Sequence, residues 1–415
     1  MSNGHDAPSN KPPLLMKRLF PENEPPSLEE FDRLCSQITS PETYPLASSI
    51  VANIPIYDLS NMEGSDHDAA STTVDRLQDE WYHILYAGPG VLVLKGLYSA
   101  EQYGEVLETT SATFQRIIEH ERQAHTSQNK PGDHFAGSGA NDRIWNAFSK
   151  HALLDPASFI EYYSNPWLAH VCEAWLGPAY RITAQVNVVK PGGAPQHSHR
   201  DYHLGFQTAE RCARFPQHMQ VASQLLTLQG AVAHTDMPLA SGPTRLLPFS
   251  QLFRAGFLAY RRPDFQEYFL RRYVSVALEK GDGIFFNPAL FHAAGANQTA
   301  DLPRTANLLQ VSSAFGKPME TIDTIPIVER CWDRMVAKYQ HAGLAPPLRS
   351  LIHALAEGYP FPTNLDNRPP APSGMAPESE QEMIQRALEL GWTREQVVSA
   401  LRQMKLDSED RSSRY

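Results

Sequence analysis

Beginning at Tyr180, the chain breaks into short runs of β-branched and apolar residues separated by Gly, Pro and Asp turns, and helical patterns lie before and after this region, not between its runs. Arg181 to Lys190 alternates and stops at Pro191-Gly192-Gly193. Residues 222–235 and 273–278, Ile284-Phe285-Phe286 and Asn307-Leu308-Leu309-Gln310-Val311 read as further strands. A parallel α/β sheet needs strands and helices in alternation, so this order disfavours it. The pattern predicts a mostly β core with flanking helices, arranged as a double-stranded β-helix (jelly roll).

Around that core, residues 1–27 are rich in Pro, Asn and Ser and predict a flexible arm. Ser27-Leu28-Glu29-Glu30 has the form of a helix start with a capping Ser. Helical periodicity covers 72–87, 99–123, 156–176, 326–342 and 346–357. The Gly-, Ser- and Asn-rich stretch 124–142 predicts a mobile loop and a candidate lid over a substrate. A jelly-roll domain over 28–345 and a helical C-terminal extension over 346–415 are expected, the latter containing a Pro-rich linker. Ala387-Leu388-Glu389-Leu390-Gly391-Trp392 resembles part of a ubiquitin-associated domain, and a docked helical hairpin is the other reading.

Charge and cysteines bound the function. Forty-six acidic against 36 basic residues give a net charge of −10, which argues against nucleic acid or an anionic membrane as partner. No run approaches the roughly 20 apolar residues of a membrane span, and the N-terminus lacks the regions of a signal peptide. Cys35, Cys172, Cys212 and Cys331 are scattered without a CxxC pair, so neither a zinc site nor a disulfide framework is indicated. A soluble, cytoplasmic protein acting on a small molecule is expected.

The sharpest local feature is Gln196-His197-Ser198-His199-Arg200-Asp201-Tyr202-His203, directly after a strand and a turn. Residues two apart in extended chain face the same way, so His199 and Asp201 can present an imidazole and a carboxylate to one point. Two His and one carboxylate on one octahedral face is the ligand set of non-haem iron(II) oxygenases, with the opposite face open. His292, at the end of Phe285 to Phe291, is the candidate third ligand, and Arg304 follows it by 12 residues. A buried guanidinium beside such a site suits a dicarboxylic co-substrate, because its planar fork binds a carboxylate through two hydrogen bonds. His234-Thr235-Asp236 is a second HxD, and an isolated HxD is a weak signal among 16 histidines.

The flanking blocks add specificity. His199 to Asp201, the turn Ser241-Gly242-Pro243 through Ser250, and Lys280-Gly281-Asp282-Gly283 through His292 to Arg304 resemble the phytanoyl-CoA dioxygenase family over about residues 80–315. The resemblance implies that His199, Asp201 and His292 hold Fe(II), and that Arg304 anchors the distal carboxylate of 2-oxoglutarate, used with O₂. It makes His234 and Asp236 a decoy. This chain departs from the family pattern at Phe249 and Gln251, where a PGSH motif has Gly and His. Its His-to-Arg spacing is about one residue longer, which predicts a shifted anchor or a bulge. Ala294 stands where some members place a hydroxyl, leaving His197, Gln185 and Gln229 as candidates for that contact. Tyr202, His203 and Phe206, just beyond the ligands, are expected on the substrate side, with packing alone as the other reading of Phe206. Retention of Asp201 favours hydroxylation or another oxidation over halogenation. Two other readings stay open: a jelly-roll metalloenzyme that does not use 2-oxoglutarate, and a non-catalytic binding protein with a degenerate site.

Overall fold

The computed structural model describes residues 17–21, 23–62, 72–128 and 141–410. Ten strands are present among them: β1 (Ser49–Val51), β2 (Ile54–Asp58), β3 (Val91–Lys95), β4 (Asn141–Ile144), β5 (Arg181–Val189), β6 (Thr227–Ala233), β7 (Arg245–Leu247), β8 (Gly283–Phe286), β9 (Phe291–Ala293) and β10 (Arg304–Ser312). Eight of them form one sheet in the order β1-β2-β3-β8-β6-β10-β5-β4, while β7 and β9 pair separately. The large sheet is mixed: β2 and β3 run parallel, and the other pairs are antiparallel.

Period-two alternation sorts each strand between two faces. On β5, Ile182, Ala184, Val186 and Val188 enter the core shared with the helices. On β6, Leu228 and Val232 do the same, while Ala231 and Ala233 join the apolar cluster on the opposite face. Phe285 of β8 points to the helices, and Ile284 and Phe286 point away from them. A cleft opens on that second face, between the large sheet and the short β7–β9 ladder.

Several sequence expectations need correction. The helix expected over 156–176 is two helices, Pro156–Tyr163 and Pro166–Leu176. Pro166 cannot continue the first, and Asn165 caps the second by accepting from the Trp167 and Leu168 amides. The strand expected over 222–235 begins as helix, Gln217–Leu225, before β6. Residues 273–278 form isolated bridges only, Leu246↔Val274 and Met237↔Leu278. The loop expected over 124–142 is helical to Gln128 and extended from Asn141, and the part between, 129–140, lies outside the described residues, with the candidate lid. Residues 1–16 of the arm also lie outside them, while the Lys17 and Leu19 carbonyls accept from Gln217 Nε2.

The C-terminal helices Glu380–Glu389 and Arg394–Ser408 form a hairpin whose apolar positions Ile384, Ala387, Val397 and Leu401 join the main core. Trp332 Nε1 donates to the Trp392 carbonyl at 3.0 Å, fastening the hairpin's turn to the helix Thr324–Ala342. No helix among the described residues is long and apolar enough to cross a membrane. All four cysteines are buried and free.

The second HxD belongs to the helix side. His234, just past β6, is hydrogen-bonded through Nδ1 to Ser111 Oγ at 2.8 Å and through Nε2 to Tyr162 at 3.1 Å. His151 lies nearby, with Nε2 2.8 Å from Ser158 Oγ. Burial pushes both imidazoles down to about 3, against a partial upward pull of Asp155 on His151. In the unfolded chain they take up protons near pH 6.5. The stability they confer is therefore complete above that pH and is lost as pH falls toward 3. Each lost pH unit costs up to about 1.4 kcal/mol per histidine. Urea unfolding at pH 7.5 and 5.0 is expected to show a marked loss at the lower pH, and His234→Gln should shrink it; an equal loss in the variant would exclude His234 as a source.

Candidate metal centre

The chain from Gln196 to Asp201 runs antiparallel to the chain from Pro288 to Ala294. Gln196 N donates to the Ala294 carbonyl at 3.0 Å and Asp201 N to the Pro288 carbonyl at 2.9 Å. Between them, His199 and His292 exchange both backbone hydrogen bonds, at 2.9 and 3.1 Å. Directly paired residues project to the same side, so the two imidazoles meet with ring centroids 4.4 Å apart. Each Nδ1 is tied to the carbonyl two residues back, His199 to His197 at 2.9 Å and His292 to Leu290 at 2.8 Å. Those bonds fix the ring orientations and leave both Nε2 atoms for the centre.

Asp201 completes the group. His199 Nε2 lies 3.6 Å from Oδ1 and His292 Nε2 lies 3.3 Å from Oδ2. One ligand atom from each of the three residues falls within 4.8 Å of the others, close enough for one metal ion. Burial pushes the Asp201 carboxyl up, but the imidazoles and a hydrogen bond from Gln229 outweigh it and hold it well below the usual carboxylate range. The His199 imidazole is lowered by burial, against the pull of Asp201. A carboxylate held anionic beside two oriented imidazoles is the donor set that suits a divalent cation.

Arg200, between the two ligands, points the other way into a separate apolar cluster. Its Nη2 donates to the Ser250 and Phe253 carbonyls at 2.8 and 2.9 Å, and its Cζ lies 5.0 and 5.2 Å from the Phe257 and Phe291 ring centroids. Burial lowers its pKa to about 9. Gly256 makes room for it, since a Cβ there would overlap the guanidinium. Gly256→Ala is expected to destabilise the protein by roughly 1–3 kcal/mol through overpacking. Urea unfolding checks this, and unchanged stability would mean that Arg200 shifts freely. Immediately after Asp201, Tyr202 and His203 have positive φ of 57° and 44°, backbone strain concentrated where the chain leaves the site.

The cleft beside the triad encloses about 1130 Å³ of atom-free space open to solvent. Arg304 lines it at the start of β10 and is 6 % exposed. Its Nη1 donates to the Ser241 carbonyl at 3.1 Å, and no carboxylate among the described residues pairs with it. Burial lowers its pKa to about 10, so it stays charged at neutral pH. The Ser241 carbonyl is presented by a tight turn: Gly242 has φ 71°, and a Cβ there would overlap the Ala296 carbonyl. The bulge that the longer His292-to-Arg304 spacing predicted is absent from the strand, since β10 keeps unbroken register with β5 from Arg304↔Val189 to Ser312↔Arg181. In the loop before it, Asn297 Nδ2 donates to the Val189 and Leu302 carbonyls.

Of the other sequence candidates, Gln185, Gln229 and Phe206 line the cleft, and Phe206 is largely exposed. His197, Tyr202 and His203 do not line it. Asp236 Oδ1 accepts from the Lys280 amide, a structural role. Sequence reasoning missed Asn187 and Gln310, which strand parity places on the cleft face with Gln185 and Arg304, and Arg143, Trp145 and Met319, for which no local pattern existed.

The family model for phytanoyl-CoA dioxygenase (PhyH) matches residues 86–306, more than half of the chain. Dioxygenase andF of Emericella variicolor is 24% identical over 194 residues, which is 44% of this chain and 62% of that protein. Protein YJR154W of Saccharomyces cerevisiae is 28% identical over 185 residues, 44% of this chain and 47% of that one. The matches thus span about half to three-fifths of these relatives. Among solved structures, the non-heme alpha ketoglutarate dependent epimerase SnoN from nogalamycin biosynthesis overlays with TM-score 0.37 and 20% identity, covering 58% of this chain and 81% of that one. Superposition at that level assigns no residue of this site. The match over residues 86–306 does decide the family: this chain belongs to the phytanoyl-CoA dioxygenase family.

Proposed function

We propose that this protein is an Fe(II)- and 2-oxoglutarate-dependent oxygenase that hydroxylates or otherwise oxidises a small organic substrate. His199, Asp201 and His292 hold the metal, and Arg304 binds the distal carboxylate of the co-substrate. The observation that carries the reading is the convergence in one cleft of two oriented imidazoles and a carboxylate with a buried guanidinium that lacks a carboxylate partner among the described residues. The donors fit the metal, since both Nε2 atoms and an anionic oxygen already face one point. Arg304 fits the co-substrate, because a buried cation without a counter-ion is costly until an anion joins it. The β7–β9 ladder and the His199↔His292 bridge facing the large sheet support a double-stranded β-helix as the architecture.

Bound iron supplies activation of O₂, with 2-oxoglutarate as the source of two electrons. The chain's own part is to bind, orient and exclude water. Arg304 fixes one end of the co-substrate by charge-assisted hydrogen bonds. Met237, Val276, Leu278, Ile284 and Phe286 form an apolar wall of the same cleft and keep water from that contact. Gln185, Asn187 and Gln310 line the cleft over β5 and β10 and offer hydrogen bonds to a polar substrate group, with Trp145 and Phe206 among the other lining residues. Succinate release from 2-oxoglutarate, with Fe(II) and a metabolite panel, tests the reading. Release that needs both Fe(II) and 2-oxoglutarate is the expected result, and its absence across wild type and panel, with no 2-oxoglutarate binding, would overturn it.

A further inference from the structure

On β6, parity turns Gln229 to the cleft with Ala231 and Ala233, on the face opposite Leu228 and Val232. Its Nε2 donates to Asp201 Oδ2 at 2.6 Å, a charge-assisted bond at the short end of its class. A carboxylate only accepts, so the amide must present its NH₂ to Asp201. That orientation turns Oε1 away, and Oε1 is buried without a hydrogen-bond partner. A carboxamide is therefore held beside a carboxylate, with its own carbonyl oxygen unmet although Gln310 stands opposite it on the neighbouring strand. We propose that Gln229 is a positioning residue that holds Asp201 Oδ2 and so keeps the carboxylate monodentate, leaving Oδ1 to the metal. The proposal rests on the metal reading given above.

The coordination number gives the arrangement its purpose. Iron(II) in this ligand class takes six positions, of which two imidazoles and one carboxylate oxygen fill three. A chelating co-substrate would need two of the remaining positions, and one more would have to stay free. A bidentate Asp201 would occupy that position. Tying up Oδ2 from the strand floor prevents this without adding charge to the site.

The test is titration of the whole protein with Co(II), followed by calorimetry and by the visible absorption of the bound ion. Wild type is compared with Gln229→Met, which has similar length and no donor. Loss of such an outer hydrogen bond typically weakens metal affinity by about 10–100-fold. The expected result is a shift of that size together with a changed Co(II) spectrum, at an unchanged melting temperature of the metal-free protein. A merely structural role would move the melting temperature and leave the spectrum alone. Gln229→Asn, which keeps the amide but withdraws it by one methylene, serves if the Met variant folds poorly, and the same shift is expected. Wild-type affinity and spectrum in both variants would overturn the proposal. Failure of wild type itself to bind Co(II) would overturn the metal reading and this proposal with it, an outcome distinct from indifferent variants of a metal-binding wild type.

Discussion

His199→Ala, Asp201→Ala and His292→Ala are each expected to lose the metal and nearly all activity, while His234→Gln keeps metal binding. The three residues put one donor atom each within 4.8 Å of the others, and removing any one leaves a two-ligand site. His234 offers the same residue type in the same HxD pattern but is bonded to Ser111 and Tyr162 on the helix side of the sheet. Iron content after anaerobic loading separates the two motifs. An empty site in His234→Gln together with a filled one in His199→Ala would reverse the assignment.

The second large effect is expected at Arg304. Arg304→Lys keeps a positive group but loses the two-pronged contact with a carboxylate. The burial that brings Arg304 to about 10 would also push a lysine toward its neutral form. Removing one partner of a buried charge pair typically costs about 2–5 kcal/mol, or roughly 30-fold or more in affinity. The 2-oxoglutarate concentration giving half-maximal succinate release should rise at least that much in Arg304→Lys and further in Arg304→Ala. Iron content should stay at the wild-type level in both, since the hydrogen bond of Arg304 goes to the Ser241 carbonyl and not to a ligand residue. Equal co-substrate dependence in wild type and both variants would show that Arg304 is not the anchor, and a metalloenzyme without 2-oxoglutarate would then be the better reading.

Much of this protein is legible in its sequence through local chemistry. The run 181–190 declares its two faces by alternation, Ser27 declares a cap, and the order of His199, Asp201, His292 and Arg304 follows from extended chain broken by turns. Departures fall where one local rule is outweighed by another. Pro166 and Asn165 divide a helix that periodicity alone would have continued. Residues 222–225 go to the helix Gln217–Leu225, whose buried Gln220 donates to the Cys212 and Phe215 carbonyls and holds that helix to the preceding turn.

The sequence by itself determined which residue types stand two apart on extended chain, and hence which pairs can share a target. It could not decide which HxD has a third ligand beside it, because that depends on a backbone pairing between residues 93 apart, His199 with His292. Nor could it show that the x of the motif, Arg200, reaches back between Phe257 and Phe291, or that Gln229 meets Asp201 from a strand 28 residues downstream. Those contacts come from sheet register and from the stacking of the β7–β9 ladder over the large sheet, which bring distant segments within hydrogen-bond reach. Spacing along a chain says which way a side chain can point, and only tertiary packing supplies what it meets there.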